Sequence, residues 1–189
     1  MRVIAGSAKG HPLAVVPGDS TRPITDRTKA ALFSILMSAE MIEGRRYLDL
    51  FGGTGAVGIE ALSRDAAEAV FCEKDRHALQ TLRRNLEATG LADRGRVIGG
   101  DAFAYLARPD LAPFDVIYIA PPQYKALWLK ALELVDARPQ LLTSDGLVIV
   151  QIFPKEWREV ALTNLVESDR RQYGSTALHF LRLREDQPS

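Results

Sequence analysis

The 189-residue chain is poor in cysteine: Cys72 stands alone, so no intrachain disulfide can form and a reducing compartment is expected. Histidine is nearly as scarce. His11, His77 and His179 lie far apart, and no Cys/His cluster has metal-ligand spacing, so no metal is expected. No apolar run reaches the ~18 residues that span a bilayer. The opening residues lack the apolar stretch of a signal peptide. A cytoplasmic protein without a membrane partner is therefore expected. Charge of one sign is also missing, since Lys+Arg and Asp+Glu are 24 each. Overall charge thus gives no case for a nucleic-acid partner, which would need a local patch. There is no repeat or low-complexity segment. What is present is ordinary globular composition, 47% hydrophobic and 25% charged, at a length that suits one domain with at most a small appendage.

Short apolar runs alternate with helical patterns. Tyr47–Leu50 is followed by glycines and a helix over Ala56–Arg64. Ala69–Cys72 is strand-like, and Asp75 can cap a helix running to about Thr89. Arg96–Ile98 is a short strand before a helix from about Asp101. Phe114–Ile119 is nearly all apolar, as in a strand buried on both faces. Lys125–Ala137 is helical and Gly146–Val150 is another buried strand. This rhythm implies an α/β fold with a mainly parallel sheet between layers of helices. Two short strands, Arg2–Ala5 and Pro12–Val16, predict an N-terminal hairpin. A turn at Thr21-Arg22-Pro23 then precedes an amphipathic helix from about Asp26, with Leu32, Ile35, Leu36 and Ala39 on one face. Ala161–Arg184 predicts two long strands turning at Tyr173-Gly174-Ser175, the second wet on one side.

Asp49-Leu50-Phe51-Gly52-Gly53-Thr54-Gly55-Ala56-Val57-Gly58 follows a strand and opens a helix, and Gly53, Gly55 and Gly58 satisfy G-x-G-x-x-G. Glycines at such a crossing let a ligand approach the backbone closely. A dinucleotide would place its pyrophosphate over the helix N-terminus. S-adenosylmethionine has no phosphate and presents an ammonium and a sulfonium. A carboxylate at position 49 opposes the first and attracts the second. Glu73 ends the next strand, where a carboxylate can accept the ribose hydroxyls of either ligand. Asp101, in Gly99-Gly100-Asp101-Ala102, can accept from an adenine amino group. Each acid also has a plainer role: Asp49 as a turn former, Glu73 as a solvated strand end, Asp101 as a helix cap, alone or in addition. Cys72 precedes Glu73 within a buried strand. It is expected to be packing rather than the exposed nucleophile of cytosine-C5 chemistry.

After the fourth strand, Ala120-Pro121-Pro122-Gln123-Tyr124 stiffens a loop at the carboxyl edge of the sheet, where ligands bind in such folds. Together with Arg2–Gly6, Lys9-Gly10, Thr21–Arg27, Leu48–Ala56, Glu73-Lys74-Asp75, Gly100-Asp101-Ala102 and Tyr173–Leu178, this loop resembles the RsmD family. These are bacterial 16S rRNA guanine-N2 methyltransferases. The glycine motif is shared by many methyltransferases, whereas the N-terminal block and the Tyr-Gly-Ser-Thr-Ala-Leu turn are more particular.

The resemblance implies a Rossmann-like methyltransferase fold with a mostly parallel seven-stranded sheet, an antiparallel C-terminal hairpin and a small N-terminal β-hairpin extension. It divides the chain into an RNA-contacting extension, residues 1–40, and a methyltransferase domain, residues 41–189. It implies that Asp49, Phe51, Gly52, Gly53, Thr54, Gly55, Glu73, Lys74, Asp101 and Ala102 hold S-adenosylmethionine, with S-adenosylhomocysteine as product. It implies that Ala120, Pro121, Pro122, Gln123 and Tyr124 receive the target base. The implied partner is 16S rRNA in an assembled or assembling small ribosomal subunit, met by a monomer.

The family's usual loop is Asp/Asn-Pro-Pro-Tyr/Phe. Here Ala120 replaces the acid or amide and Gln123 takes the aromatic place, with Tyr124 one residue later. The Ala120 and Pro121 carbonyls and Gln123 remain as acceptors, and Tyr124 as a stacking face. Arg2, Lys9, Arg22, Arg27 and Lys29 outnumber Asp19 and Asp26 in the first thirty residues and are expected to grip RNA phosphates. Arg170, Arg171, Arg182 and Arg184 could add a second contact. Two other classes stay open: a methyltransferase with a protein or small-molecule acceptor, and an RNA-binding or assembly protein that keeps the fold with weak or altered activity. A dinucleotide oxidoreductase is more distant, because Asp49 is badly placed for pyrophosphate.

Overall fold

A computed structural model describes residues 1–16 and 24–185. Seven strands form one sheet: β1 (Arg46–Asp49), β2 (Glu68–Glu73), β3 (Gly95–Gly99), β4 (Phe114–Ile119), β5 (Leu142–Ile152), β6 (Leu165–Tyr173) and β7 (Thr176–Leu183). Their order is β3-β2-β1-β4-β5-β7-β6. The first five run parallel, and β7 is antiparallel to both neighbours. Helix α1 (Asp26–Ser38) precedes β1, and α2 (Ala56–Ser63), α3 (Arg76–Ala88), α4 (Ala102–Leu106) and α5 (Leu127–Asp136) join the five parallel strands.

Alternation along the strands divides the interior. Tyr47, Phe71, Val116, Tyr118 and Ile149 pack with α1, α2 and α3 on one face. Leu48, Val70, Ile117, Val148 and Val150 pack with α4 and α5 on the other. Strands buried on both faces need near-continuous apolar sequence, which is what Phe114–Ile119 supplies. Helix starts follow from side chains that accept the first free N–H groups. Asp75 accepts from Ala78 at 2.8 Å, and Asp101 accepts from Phe103 and Ala104 at 3.0 Å. No helix among the described residues is long and apolar enough to cross a membrane.

The structure differs from the sequence reading at both ends. The N-terminal hairpin forms, with Val3 donating to His11 and Gly10 to Val3 at 2.9 Å and Leu13 to Met1 at 3.0 Å, but its arms do not extend into the two expected strands and meet in a single bridge, Arg2 to Pro12. The reason is where the backbone donors go. Ile4 and Ala5 donate to the Glu60 carboxylate of α2 at 2.8 and 3.0 Å, and Ala14 donates to Asn85 Oδ1 of α3 at 2.9 Å. Lys29, expected from sequence to be a surface charge, is fully buried: its Nζ pairs with Glu60 at 3.2 Å and donates to the Arg2 carbonyl at 2.6 Å. At the other end β7 is interior and mostly buried, and it is the edge strand β6 that alternates with solvent. The turn at Thr21-Arg22-Pro23, with Asp19, lies outside the described residues. Helix α5 begins at Leu127 rather than Lys125, after Tyr124 and Ala126 adopt positive φ of 61° and 49°.

Candidate functional site

The carboxyl ends of β1, β2, β4 and β5 open into one cavity of about 590 Å³. It lies where ligands bind in parallel α/β sheets and has the size of a cofactor site. Its wall begins at the glycine loop. Gly52 donates to the Cys72 carbonyl at 2.8 Å, drawing the loop across β2, and Gly55 closes the turn onto the Gly52 carbonyl at 2.8 Å. Gly55 takes φ +87°, and a Cβ there would lie 2.4 Å from Leu82 Cδ1. Gly58 lets α2 settle on the sheet, since a Cβ would lie 2.3 Å from the Phe71 ring.

Asp49, Phe51, Gly52, Gly53, Thr54, Glu73, Lys74, Asp101 and Ala102 all line this cavity, as do Ala120, Pro121, Pro122 and Gln123. Gly55 sits behind the loop and does not line it. Tyr124 does not line it either: its ring is 76% exposed and stacks on Phe153 at 5.8 Å, with its own N–H donated to Glu156. The stacking face expected of Tyr124 therefore points away from the cavity in this structure.

Three carboxylates divide the polar work. Asp49 is buried at the end of β1 and pairs with no cationic side chain among the described residues. Burial pushes its pKa up to about 7, the Gly58 N–H pulls it down, and the Glu73 charge adds to the rise. A cation would relieve this desolvated carboxylate, and a phosphate would aggravate it. Glu73 accepts three backbone N–H groups, from Gly53 at 2.9 Å and from Lys74 and Asp75 at 2.8 Å. It thereby joins the glycine loop to β2. Its Oε2 holds one of those three and keeps a lone pair. Asp101 caps α4 through Oδ1 alone, which leaves Oδ2 for a ligand. Cys72 is buried, and burial together with Asp49, Glu73 and Asp101 pushes its thiol up to about 12, which suits packing rather than nucleophilic attack.

Several lining residues escaped the sequence reading. Val15, Val16 and Ile24 bring the N-terminal segment to the cavity wall. Asn85 fixes that segment to the glycine loop, since its Nδ2 donates to the carbonyls of both Ala14 and Thr54, at 3.0 and 2.9 Å. Tyr118 and Gln151 also line the cavity, with the tyrosine hydroxyl donating to Gln151 Oε1. Gln151 carried a signal, as the one polar residue within Leu147–Ile152.

The basic residues divide. Arg2, Lys9 and Arg27 are exposed and away from the cavity, Arg2 with Asp26 at 3.5 Å. Arg22 lies outside the described residues. The C-terminal arginines are largely occupied: Arg170 pairs with Glu167 at 2.7 Å and Arg171 with Asp169 at 2.9 Å. Arg182 and Arg184 donate to the Asp145 and Leu162 carbonyls.

Comparison with known proteins gives a consistent answer. A family model described as "Conserved hypothetical protein 95" matches residues 1–182. The chain is 38% identical over 184 residues to YlbH of Bacillus subtilis, described as a candidate rRNA methyltransferase, covering 94% of this chain and 96% of that one. It is 38% identical over 151 residues to ribosomal RNA small subunit methyltransferase D of Escherichia coli K12, covering 80% and 74%. The solved structure of Escherichia coli yhhF, described as a candidate methyltransferase, matches with a TM-score of 0.84 at 33% identity and 99% of both chains.

Proposed function

The chain belongs to the RsmD family, and from that premise we propose that it methylates the exocyclic N2 amine of a guanine in 16S rRNA. S-adenosylmethionine is the donor, and the reaction runs in the cytoplasm on an assembled or assembling small subunit, with the protein acting as a monomer. The observation that carries this reading is Asp49: a buried carboxylate without a cationic side-chain partner among the described residues, beside the glycine loop, in the cavity that also receives the proline loop. S-adenosylmethionine, when bound, supplies a methyl group on a sulfonium; the amine lone pair forms the N–C bond, the C–S pair returns to sulfur, and S-adenosylhomocysteine remains.

Each residue has a part in that reading. Asp49 holds the donor's ammonium. The open lone pair of Glu73 accepts from the ribose, and Asp101 Oδ2 accepts from the adenine amino group while Oδ1 keeps its cap. Phe51, Gly52, Gly53, Thr54, Lys74 and Ala102 complete the walls, and Gly55 shapes the loop from behind. A guanine N2 is a poor nucleophile because its lone pair is delocalised into the ring. Acceptors aimed at its N–H bonds draw the nitrogen toward tetrahedral geometry and turn the lone pair outward. The Ala120 and Pro121 carbonyls and Gln123 are such acceptors on the proline loop. No strong base is needed before transfer, because the amine becomes acidic only once it is cationic; the proton it then sheds passes to water and leaves the neutral N2-methyl amine. Alignment in a closed pocket is worth on the order of 7 kcal/mol or more. Residues 1–40, with Arg2, Lys9, Arg22 and Arg27, contact RNA phosphates, and residues 41–189 carry the chemistry.

The test is to incubate the protein with under-methylated small subunits and S-adenosylmethionine, then map methylguanosine in 16S rRNA by mass spectrometry. One N2-methylguanosine is expected. A folded protein that binds S-adenosylhomocysteine and small subunits yet transfers no methyl group refutes the enzymatic reading in favour of an RNA-binding protein of the same fold. That alternative is motivated by Ala120, which brings no side-chain acceptor.

A further inference from the structure

The proline loop opens with a residue that offers only its carbonyl, and the sheet beside it holds a polar pair in an otherwise apolar layer. In the parallel register Tyr118 lies opposite Asp49 on β1, and Ile119 lies opposite Val150 on β5. The paired register ends there, and carrying it one step further sets Ala120 beside Gln151; both line the cavity. Tyr118 belongs to the layer beneath α1, α2 and α3, and Ala120 packs against that same layer. Period two from Ile149 puts Gln151 there as well. Asp49, Tyr118 and Gln151 thus form a polar row on one face at the strand ends. It leads from the carboxylate that attracts a cation to the loop that receives the base, and all three line the cavity.

We infer that Gln151, held by the Tyr118 hydroxyl beside Ala120, is the side-chain acceptor that orients the target amine. Resting on the methyltransferase reading above, the assignment names the group that selects the acceptor base. The buried Tyr118 hydroxyl needs a partner, and it has one in Oε1 of the half-buried Gln151. An amide oxygen has two lone pairs, so a second remains open, and the tyrosine oxygen has its own. Two adjacent acceptors match the N1–H and N2–H donors that guanine presents side by side. Adenine presents an acceptor next to its amine, so one of the two would face a lone pair and lose its bond. Tyr118 has two parts here: its O–H fixes the Gln151 amide, and its oxygen lone pair is the second acceptor offered to the base. Desolvation, with Asp49 nearby, keeps its hydroxyl protonated and able to donate.

The deciding experiment compares Gln151→Leu, which keeps the volume and removes the acceptor, with the double variant Ala120→Asn/Gln151→Leu, which returns an acceptor to the neighbouring position. Single-turnover methyl transfer to under-methylated small subunits is read beside S-adenosylhomocysteine affinity by calorimetry. Gln151→Leu is expected to lower the transfer rate about 100-fold, the scale of a misplaced reacting group, with ligand affinity within twofold of the parent. The double variant is expected to recover at least about tenfold. A Gln151→Leu rate within twofold of the parent overturns the assignment. So does a loss that Ala120→Asn does not lift, which would make Gln151 architectural. A parent protein that transfers no methyl group is a different result, and refutes the proposed function together with this inference.

Discussion

Asp49 brings folding and ligand binding into opposition at a single residue. An ordinary aspartate in the unfolded chain titrates near 3.8, whereas burial holds this one up to about 7 in the fold. Between those values the ligand-free fold retains a proton that the unfolded chain has released. The unfolded state then binds fewer protons, and the stability of the ligand-free protein falls as pH rises from about 4 to 7. A bound ammonium reverses the preference by favouring the charged form. Affinity for S-adenosylhomocysteine is therefore expected to rise with pH through about 7 and level off above it. Asp49→Asn is expected to raise the melting temperature of the ligand-free protein at pH 8, to weaken ligand binding by at least about tenfold, and to remove the pH dependence between pH 5 and 8. Calorimetry and thermal melts across that range check all three. An Asn variant that keeps the parent's affinity would mean that the carboxylate does not meet the cation. Asp49, Glu73 and Asp101 were legible in the sequence because each ends or follows a strand. Tyr118 was not, and Gln151 stood out only as a polar residue in an apolar run, because only the lateral register of β4 and β5 makes the two neighbours.

Local chemistry explains the elements that the sequence revealed. The strand over Phe114–Ile119 needed only its apolar run, and the starts of α3 and α4 needed only Asp75 and Asp101 as caps. The N-terminal segment resisted because its partners are remote: Ile4 donates to a carboxylate 56 residues away. Lys29 resisted for the same reason, since its buried charge is met by Glu60, 31 residues away in the chain. Glu60 accepts from Ile4, Ala5, Arg64 and Lys29, and so fastens residues 2–5 and α1 to α2. Removing one partner of a buried ion pair strands the other. Glu60→Ala is expected to cost about 3–5 kcal/mol in urea unfolding and to expose the first sixteen residues to limited proteolysis. The double variant Lys29→Met/Glu60→Ala is expected to lose less than Glu60→Ala alone, because the fully buried ammonium is then gone and only Arg64, which reaches solvent, is left without the carboxylate. A double variant that loses more would show that the charges stabilise through something other than their pairing.

At the scale of the whole molecule, net charge is zero, so any attraction to a polyanion has to come from where the charges are free. Several arginines in or beside the sheet are tied down: Arg45 to Asp115 and Asp145, Arg46 to Glu68, Arg170 to Glu167, Arg171 to Asp169. Lys9 and Arg27 are exposed and take no part in the ion pairs formed among the described residues. Both belong to the same N-terminal part that contributes Val15, Val16 and Ile24 to the cavity wall. Free positive charge and access to the cavity therefore meet at this end of the chain, as they also do at Lys74 and Lys125, which are exposed, line the cavity and take no part in those ion pairs; this is expected if a phosphate backbone is gripped around the mouth while a base enters the site. An unstacked loop guanine is cheaper to capture in this way than a paired one. Lys9→Glu/Arg27→Glu is expected to weaken small-subunit binding and to flatten the dependence of log affinity on log salt by about 0.7–0.9 for each phosphate no longer neutralised. Affinity for S-adenosylhomocysteine should stay unchanged, because neither side chain lines the cavity. A salt titration of subunit binding set beside calorimetry separates the two effects. An unaltered salt slope would move the RNA-binding surface away from this end of the molecule and leave the cofactor site as it stands.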